Sequence, residues 1–448
     1  MELKGSNVLV VGMARSGLAA ARLLVKHGAH VRTTDAKPIE SLHGAERELA
    51  SLGVPFIPQS PAAFEGCDLI VISPGVPMDL DLLEQARRRG TPVIGEVELA
   101  GWFLRGKTLG ITGSNGKTTT TALVGHILRE CGIPVQVGGN IGTAPASMVD
   151  SSREGQWNVL ELSSFQLETV DRFGAHIAVI TNLTPDHLDR HHTMEAYVEA
   201  KGRLLVNQTA QDYAVLNADD ATCAAFADSV RSRLVWFRGS QRTETGWSFD
   251  GAVIFFEGKP WMEASGIPLR GRHNIENVMA AAGATHVAGA PLEQIAEAVG
   301  SFPGVEHRLE FTAEIAGVQF FNDSKATNVD ATLKAIDAFD GGLWIILGGK
   351  DKGSDYTPLI EPLRRKARAA LLIGAAADKI ASHLGNAVPV IRSGTLESAV
   401  RTAVEKASSG DTVLLAPACA SFDQFESFEH RGKVFKEIVH SLESAGVS

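Results

Sequence analysis

The chain has 448 residues, 44% of them hydrophobic, and a formal net charge of −10. This length predicts about two to four domains with substantial cores. The negative charge leaves no basic excess for holding a phosphodiester backbone, so we expect no nucleic-acid partner. The four cysteines lie far apart without a CxxC pair, which favours reduced thiols over disulfides or a zinc site. With no apolar leader and no apolar segment of bilayer length, the sequence predicts a soluble cytoplasmic protein without a membrane partner.

Short apolar runs alternate with helical stretches along the chain, which is the pattern of parallel sheets covered by helices. The first part has predicted strands at residues 8–11, 30–34, 69–73 and 92–94, and a helix over 16–27. The second part has predicted strands at 108–111, 159–162, 178–182 and 214–217, helices over 120–131 and 194–207, and a turn-rich stretch, 236–261, that predicts a small antiparallel insert. After a break at 301–305, the third part has predicted strands at 343–347, 370–373, 388–391 and 412–415.

These patterns predict an α/β protein of three domains, each with a mainly parallel sheet and flanking helices. We place the domains at residues 1–96, 97–302 and 303–448. The first and third are expected to be Rossmann-like, and the central one to resemble a P-loop ATPase.

A turn bracketed by Gly12 and Gly17 follows the first predicted strand, and Asp35 ends the second. This arrangement is typical of a dinucleotide fold whose acidic residue binds a ribose, but the middle glycine that lets backbone approach a pyrophosphate is missing. From the turn alone, a nucleotide-type ligand and a tight turn without a ligand are equally good interpretations. Ser73 and Gly75, at the end of the third strand, favour binding because ligands collect at strand ends in doubly wound sheets.

The strongest motif is Ile111-Thr-Gly-Ser-Asn-Gly-Lys-Thr-Thr119, between a predicted strand and a predicted helix. A Gly-rich turn there can point backbone N–H groups at phosphate oxygens, Lys117 adds a positive charge, and the Thr118 hydroxyl can hold Mg²⁺. The spacing differs from the standard P-loop, since the first loop glycine, Gly113, is only three residues before Gly116. The motif predicts a nucleoside triphosphate site outside the motor and small-GTPase classes.

Further polar residues follow predicted strands in the second part of the chain. Glu161 ends an apolar strand, where its carboxylate can reach a metal beside the phosphates; the alternative is a charge that answers a helix dipole. His187 lies just past another strand, whereas His191 and His192 are predicted to be loop polar residues. Lys201 lies within a predicted helix, and a lysine there is by itself an ordinary surface residue. Taken singly, these residues leave their roles open.

The order of the motifs resembles the Mur ligase family. The motifs are residues 111–119, 161–168, 182–190, 273–277 and 307–308, followed in the third part by Asn322-Asp-Ser-Lys-Ala-Thr-Asn328 and Ala416-Pro-Ala-Cys-Ala-Ser-Phe-Asp-Gln-Phe425. The resemblance covers essentially the whole chain and implies an ATP-dependent amide ligase of peptidoglycan precursor synthesis. The last two motifs imply D-glutamate as the acceptor and UDP-N-acetylmuramoyl-L-alanine as the carboxylate substrate.

The resemblance also implies the course of the reaction. A carboxylate is a poor acylating agent, so family members first move the γ-phosphoryl group of ATP onto it and form an acyl phosphate. The acceptor amine then attacks the carbonyl carbon, and phosphate leaves. Two Mg²⁺ sites are implied, and their ligands are Thr118, Glu161, His187 and Lys201. Lys201 is implied to be a carbamate formed with CO₂, which would turn a cation into an oxygen ligand for Mg²⁺.

Matching motifs assign the other site residues. For ATP these are Gly113, Ser114, Asn115, Gly116, Lys117, Thr118, Thr119, Asn274, Asn277, Arg308 and Asp323. For the UDP substrate they are Ser16, Asp35, Ser73, Gly75, Asn140, Ser163, Gln166 and His187, and for D-glutamate they are Thr327, Lys352, Ser421, Phe422 and Phe428. The residues expected to act in the reaction are Lys117, His187, Lys201, Arg308 and Lys325.

Some alternatives stay open at this point. Lys350 stands where family members often carry Asp, so either Lys350 or Lys352 could meet the side-chain carboxylate of D-glutamate. The chain could be a Mur-type ligase for another acceptor amino acid, an NAD-binding oxidoreductase built on the first part, or a non-catalytic nucleotide-binding scaffold. The last is poorly compatible with Lys117, Glu161 and Lys201 together. The expected partners are the two small substrates, and we expect a monomer.

Overall fold

The computed structural model describes residues 3–42 and 44–444, without the side chain of Asp189. Residues 1–2 and 445–448, at the ends of the predicted first and third domains, lie outside it. Two compact units are present: one comprises the residues up to 267 together with 273–302, and the other comprises 268–272 together with the residues from 303 onward. The first unit contains two sheets and the second contains one. Of the helices described, none is both long and apolar enough to cross a membrane.

The first sheet has four parallel strands in the order β2-β1-β3-β4. Its strands are β1 (Asn7–Val11), β2 (His30–Thr34), β3 (Leu69–Ile72) and β4 (Val93–Gly95), and its helices are α1 (Arg15–Lys26), α2 (Ala45–Leu52), α3 (Asp81–Arg88) and α4 (Glu96–Gly101). Alternate residues of β3 belong to different core clusters, Leu69 and Val71 to one and Ile70 and Ile72 to the other. Both faces of the sheet are therefore covered, as expected for parallel strands.

The central sheet has nine strands in the order β13-β12-β11-β10-β9-β8-β5-β7-β6. They are β5 (Lys107–Thr112), β6 (Val135–Gly139), β7 (Trp157–Glu161), β8 (Ile177–Ile180), β9 (Tyr213–Asn217), β10 (Arg233–Arg238), β11 (Trp247–Phe249), β12 (Val253–Phe256) and β13 (Lys259–Glu263). The helices are α5 (Lys117–Glu130), α6 (Pro145–Met148), α7 (Ser164–Leu167), α8 (Leu188–His191), α9 (Met194–Val206), α10 (Ala221–Ala224), α11 (Arg272–Val287) and α12 (Leu292–Gly300).

The third sheet has six strands in the order β14-β15-β19-β16-β17-β18, and only the β14–β15 pair is antiparallel. The strands are β14 (Glu310–Ile315), β15 (Val318–Asn322), β16 (Leu343–Gly348), β17 (Ala367–Ile373), β18 (Val390–Gly394) and β19 (Thr412–Leu415). The helices are α13 (Val329–Asp337), α14 (Ile360–Lys366), α15 (Ala377–Leu384), α16 (Leu396–Lys406) and α17 (Phe428–Ser444).

The predicted fold class, three α/β domains with mainly parallel sheets, is confirmed. The prediction of a small antiparallel insert over 236–261 is wrong in one respect. Strands β11, β12 and β13 are antiparallel as expected, but β10 pairs in parallel with β9 and β11, so the stretch extends the central sheet. Strands β6, β14 and β15 were not predicted. Strands β6 and β14 are half-buried and lack the continuous apolar runs of buried parallel strands, and Gln319 interrupts the apolar run of β15. The domain limits stay predictions.

Candidate active site

The phosphate-loop motif lies between β5 and α5, and its backbone is fixed by glycine geometry. Gly113 and Gly116 have φ values of +142° and +83°, which side-chain-bearing residues rarely adopt. A Cβ atom on Gly113 would lie 2.0 Å from Thr181 Oγ1. Asn182 anchors the turn, accepting Ser114 N at its carbonyl and Asn115 N at its side chain, each at 2.8 Å. The loop thus enters the N-terminus of α5, where anions bind favourably.

Two asparagines of α11 pack against this loop. A Cβ atom on Gly116 would lie 2.2 Å from Asn277 Oδ1, and the same oxygen is 3.4 Å from the Thr120 hydroxyl. Asn277 Nδ2 donates to Asn274 Oδ1 at 2.9 Å, and both residues are buried. Asn274 and Asn277 therefore lie beside the phosphate loop although they are about 160 residues away in sequence, consistent with their expected ATP contacts.

Two lysines converge on one carbonyl of the loop. Lys117 Nζ donates to Gly113 O at 2.8 Å and to Ser114 O at 3.0 Å, and Lys201 Nζ donates to Gly113 O at 2.8 Å. Lys201 is 1% exposed, so it is not the surface lysine that its helix alone suggests. Burial, aided by the charge of Lys117, lowers the pKa of Lys201 to about 7. Its amine is therefore substantially neutral near neutral pH.

Tyr197 supports this lysine pair and was not predicted as a site residue. Its ring centroid lies 4.8 Å from Lys201 Nζ, and its hydroxyl is 3.0 Å from Ser114 Oγ. Ser114 Oγ also donates to Thr184 O and accepts Thr184 N, which ties the phosphate loop to the 182–190 segment. A tyrosine four residues before Lys201 on the same helix lies on the same face, and that spacing is the signal that could have indicated it.

Glu161 is the last residue of β7 and is buried. Asn140 Nδ2 donates to its Oε1 at 2.9 Å, whereas Oε2 is buried without a hydrogen-bond partner. An ionised oxygen in this state is costly unless a cation pairs with it. Glu161 Oε2 and the Thr118 hydroxyl are hard oxygen donors suited to Mg²⁺, which commonly takes few protein ligands plus substrate phosphates. Among the described residues, no three His, Cys, Asp or Glu side chains form a cluster that could hold a metal ion.

His187 and His191 differ in burial, which the sequence did not indicate. His187 has a φ of 54° and is exposed, and its ring centroid lies 4.9 Å from that of Phe165, with the two ring planes tilted by 59°. His191 was predicted to be a loop polar residue, which is wrong: it ends α8, is buried, and its Nε2 lies 2.9 Å from Ser164 Oγ and its Nδ1 3.2 Å from Glu168. It is buried because helix α8 turns this histidine towards α7. His192 is exposed as expected.

Several predicted substrate residues already have structural roles. Ser163 and Gln166 form a capping box at the start of α7, in which each side chain accepts the other's backbone N–H. Asn140 binds Glu161, as described above. Arg15, which was not predicted, donates to Gly142 O at 2.6 Å and to Asn140 O at 3.0 Å. The first sheet's turn is thereby connected to the loop that holds the Glu161 carboxylate.

The turn of the first sheet is explained by close packing. A Cβ atom on Gly17 would lie 1.8 Å from Gly12 O, and Ser73 Oγ donates to the same oxygen at 2.7 Å. Asp35 accepts Met13 N at 2.7 Å and Lys37 N at 2.9 Å. Sterics and hydrogen bonds thus account for these residues without a ligand. Ser16 is half-buried and Gly75 borders open space. Their roles in binding the UDP substrate stay predictions.

In the second unit, Asp323 lies at the end of β15 among basic groups. Burial raises the pKa of Asp323 to about 6, while Arg308 and Lys325 oppose that rise. Lys325 Nζ lies 5.7 Å from the ring centroid of Phe428. The residues on either side of Arg308 have φ values of 63° (His307) and 43° (Leu309), a conformation that is costly for side-chain-bearing residues. The structure therefore brings Arg308, Asp323, Lys325 and Phe428 into one neighbourhood.

The predicted D-glutamate residues lie on loops that follow β15, β16 and β19, except Phe428, which begins α17. Lys352 Nζ is 3.5 Å from Thr327 O, whereas Lys350 pairs through its backbone N with Ala420 O at 2.8 Å. Ser421 is buried, and its neighbour Phe422 is 66% exposed. Of the two lysines, Lys352 is the one whose side chain lies beside another predicted acceptor residue. This geometry favours Lys352.

Arg431, which was not predicted to have a role, lies beside the loops that carry the predicted acceptor residues. It is fully buried on α17 and donates to Ser324 Oγ, Ser324 O and Cys419 O at 2.8–3.2 Å. Burial lowers the pKa of Arg431 to about 10, so it remains a cation at neutral pH. It joins the loop after β15 to the loop after β19. The signal was available, because Arg431 precedes the buried Phe435 and Val439 at intervals of four on the same helix face.

Comparison with known proteins places these features in a known class. Three family models match: the Mur ligase MurD-like N-terminal domain at residues 6–95, the Mur ligase middle domain at 111–285, and the Mur ligase glutamate ligase domain at 307–419. A solved UDP-N-acetylmuramate–alanine ligase from Thermotoga maritima is similar in fold, with a TM-score of 0.62, 19% identity, and coverage of 97% of this chain and 99% of that one. The fold is that of the Mur ligase class.

Two relatives of high sequence identity show to which family within the Mur ligase class the chain belongs. A UDP-N-acetylmuramoylalanine–D-glutamate ligase from Solibacter usitatus is 60% identical over 99% of both chains. The enzyme of the same name from Acidobacterium capsulatum is 52% identical over 98% of this chain and 97% of that one. The chain therefore belongs to the UDP-N-acetylmuramoylalanine–D-glutamate ligase family.

Proposed function

We propose that the chain joins D-glutamate to UDP-N-acetylmuramoyl-L-alanine and converts ATP to ADP and phosphate, through an acyl phosphate. The observation that carries this proposal is the convergence of Lys117 and Lys201 on Gly113 O, in a motif of the family to which the chain belongs. The Lys117 cation beside a Gly-rich turn at a helix N-terminus suits a polyphosphate, Lys201 lies beside it for the proposed carbamate, and the family supplies the acceptor and the carboxylate substrate.

In the phosphoryl-transfer step, the chain's work is positioning and neutralisation of charge. The backbone N–H groups of residues 113–119 and the ammonium of Lys117 would hold the ATP phosphates. Asn274 and Asn277 would close the loop from the side of α11, and Arg308, Asp323 and Lys325 are proposed to contact ATP and the reacting groups. The γ-phosphoryl group moves to the alanine carboxylate, and ADP leaves as the acyl phosphate forms.

Two Mg²⁺ sites are part of the proposal. Thr118 would serve the first, and Glu161, His187 and Lys201 the second; bound Mg²⁺ supplies neutralisation of the negative charge on the phosphates. The orphaned Glu161 Oε2 supports a cation there. Lys201 would join this set as a carbamate. Its burial supports this, because only a neutral amine reacts with CO₂, and its pKa of about 7, lowered by burial, leaves much of it neutral.

The acceptor and the UDP substrate are assigned to residues of different domains. We propose that Lys352, Thr327, Ser421, Phe422 and Phe428 bind D-glutamate, whose amine attacks the acyl carbon and releases phosphate. For the UDP substrate, the proposed residues are Ser16, Asp35, Ser73, Gly75, Asn140, Ser163, Gln166 and His187. The domain limits at 96/97 and 302/303, a monomeric state and a cytoplasmic location are further predictions.

A phosphate-release assay tests the function. Purified protein is given ATP, Mg²⁺ and UDP-N-acetylmuramoyl-L-alanine with D-glutamate, L-glutamate, D-aspartate, L-alanine, L-lysine or meso-diaminopimelate, and products are identified by mass. We expect phosphate and a new amide product with D-glutamate alone. Turnover with another amino acid but not with D-glutamate would establish a ligase with a different acceptor. NAD-dependent absorbance change without ATP consumption would establish an oxidoreductase.

A further inference from the structure

A polar network that is only partly buried lies at the loop that follows β16. We call it the Asp351 network, and its members are Asp351, Tyr356, Lys379 and Cys419. Asp351 Oδ1 accepts the Tyr356 hydroxyl at 2.8 Å and Ser354 N at 3.1 Å, and Oδ2 accepts Lys379 Nζ at 2.8 Å. The Tyr356 hydroxyl also lies 3.0 Å from Cys419 Sγ. One fully buried phenol is thus shared by two loops, because Asp351 follows β16 and Cys419 follows β19.

The two loops are also joined through their backbones. Lys350 N donates to Ala420 O at 2.8 Å, and Gly348 N donates to Pro417 O at 2.9 Å. The first loop carries Lys352, directly after Asp351, and the second carries Ser421, two residues after Cys419. The Asp351 network therefore lies next to proposed acceptor residues on both loops, although none of its members was assigned to substrate.

The Asp351 carboxylate places a negative charge next to the residues that are proposed to bind an acidic acceptor. Its hydrogen bonds from Lys379 and Tyr356 hold the pKa of the carboxyl well below its usual range, so it is an anion at neutral pH. The proposed acceptor carries two carboxylates, and like charges within several ångströms repel unless a cation lies between or beside them. Lys379, from α15, is bonded to Asp351 and is only partly exposed, which limits the screening of the pair by solvent.

We propose that Tyr356, Asp351 and Lys379 are positioning residues for the acceptor amino acid. Tyr356 and Asp351 hold the Lys352 loop against the Ser421 loop, and Lys379 neutralises a carboxylate that would otherwise repel the two carboxylates of the acceptor. This inference rests on the proposed function, since it takes D-glutamate as the acceptor.

The charge part is tested by a double-variant comparison. Lys379→Met leaves the Asp351 carboxylate uncompensated, so we expect the KM for D-glutamate to rise about fivefold. Adding Asp351→Asn to Lys379→Met removes that charge and should bring the KM back to within about twofold of the value for Asp351→Asn alone. Lys334→Met is the matched control, because Lys334 forms an equally short 2.7 Å pair with Asp330 on the exposed side of α13.

The positioning part is tested by Tyr356→Phe, which removes one hydroxyl and keeps the ring. We expect the KM for D-glutamate to rise about threefold to tenfold, with kcat and the KM values for ATP and the UDP substrate within about twofold. Tyr213→Phe is the control, since the Tyr213 hydroxyl contacts only the exposed Arg233 among the hydrogen bonds described. Melting temperatures are measured for every variant.

The outcomes separate the two proposals. If the wild-type protein releases no phosphate with D-glutamate, the proposed function fails before any variant is compared. If the wild type is active and the KM for D-glutamate is unchanged in both Lys379→Met and Tyr356→Phe, the inference is overturned. It is also overturned if all three substrates lose affinity equally, or if Asp351→Asn does not reverse the Lys379→Met effect.

Discussion

The phosphate loop of the central domain and the acceptor loops of the third domain place charged side chains by different means. In the phosphate loop, the backbone sets the geometry, because glycines at 113 and 116 take up conformations and close contacts that other residues cannot. In the acceptor loops, side chains set it: Arg431 and Tyr356 are fully buried and bridge loops that are distant in sequence. A turn built by the backbone leaves a local glycine pattern in the sequence, whereas the bridging contacts of Arg431 and Tyr356 join residues that no local pattern connects.

The two regions also treat buried charge differently. At the phosphate loop, Lys117 and Lys201 lie close together, and Glu161 keeps one carboxylate oxygen without a partner. In the third domain, the buried Arg431 and the partly exposed Asp351 have their charged groups satisfied by several hydrogen bonds. Unsatisfied buried charge is costly and needs a ligand, whereas satisfied buried charge stabilises a loop conformation. We therefore expect substitutions in the first region to affect catalysis and those in the second to affect acceptor affinity.

The largest effect is expected for Lys201→Ala. Loss of a buried group that is proposed to hold Mg²⁺ should lower kcat at least about a hundredfold, comparable to the loss of one strong electrostatic contact in an active site. Short carboxylic acids such as formate or acetate should restore part of the activity, because they can replace the carbamate oxygens. The measurement is steady-state phosphate release, together with ¹³C NMR of the wild-type protein in ¹³C-bicarbonate for a carbamate signal.

Lys107→Ala is the control for Lys201→Ala. Lys107 Nζ lies 5.5 Å over the Trp157 ring, much as Lys201 lies over Tyr197, but Lys107 is exposed at the start of β5. We expect its activity to remain within about twofold of the wild type, as for most surface substitutions. Full activity in Lys201→Ala would remove the carbamate proposal and the contrast between the two regions.

A smaller and more specific effect is expected for Lys352→Ala. Hydrogen bonds to charged groups contribute about 1.5–3 kcal/mol, so the KM for D-glutamate should rise about tenfold or more while the KM for ATP changes little. Lys350→Ala is the natural comparison, because the structure ties Lys350 into the loop through its backbone, which alanine retains. If Lys350→Ala raises the KM for D-glutamate and Lys352→Ala does not, the assignment of the loop is wrong by two residues.

The same contrast explains how much of the fold and of the candidate site could be predicted from the sequence. The three α/β domains, the strand at residues 30–34 and the loop at 111–119 were predictable, since apolar periodicity and glycine spacing are local signals. The neighbourhood of Asn277 and Gly116 was available only through a family resemblance. The burial of His191 was predicted wrongly, and Tyr356 was not considered, because a polar residue in a loop-like segment gives no local sign of its distant partners. Such contacts come from tertiary packing.

The smallest effect is expected for alanine at Gly116, and it tests how the phosphate loop differs from an ordinary helix end. Gly116 and Gly132 flank α5, with φ values of +83° and +67°, so alanine at either position costs about 1–2 kcal/mol of folding stability. Only at Gly116 does the new Cβ meet a neighbour, Asn277 Oδ1 at 2.2 Å, while nothing lies within 4 Å at Gly132. Because of this overlap, we expect a larger loss in melting temperature for Gly116→Ala than for Gly132→Ala, and an increase of about fivefold in the ATP dissociation constant for Gly116→Ala alone. Calorimetric titration with ATP and Mg²⁺ measures this difference. Equal ATP affinity in the two variants would mean that the contact between the loop and α11 does not contribute to nucleotide binding, and the phosphate loop would then depend on its own backbone alone.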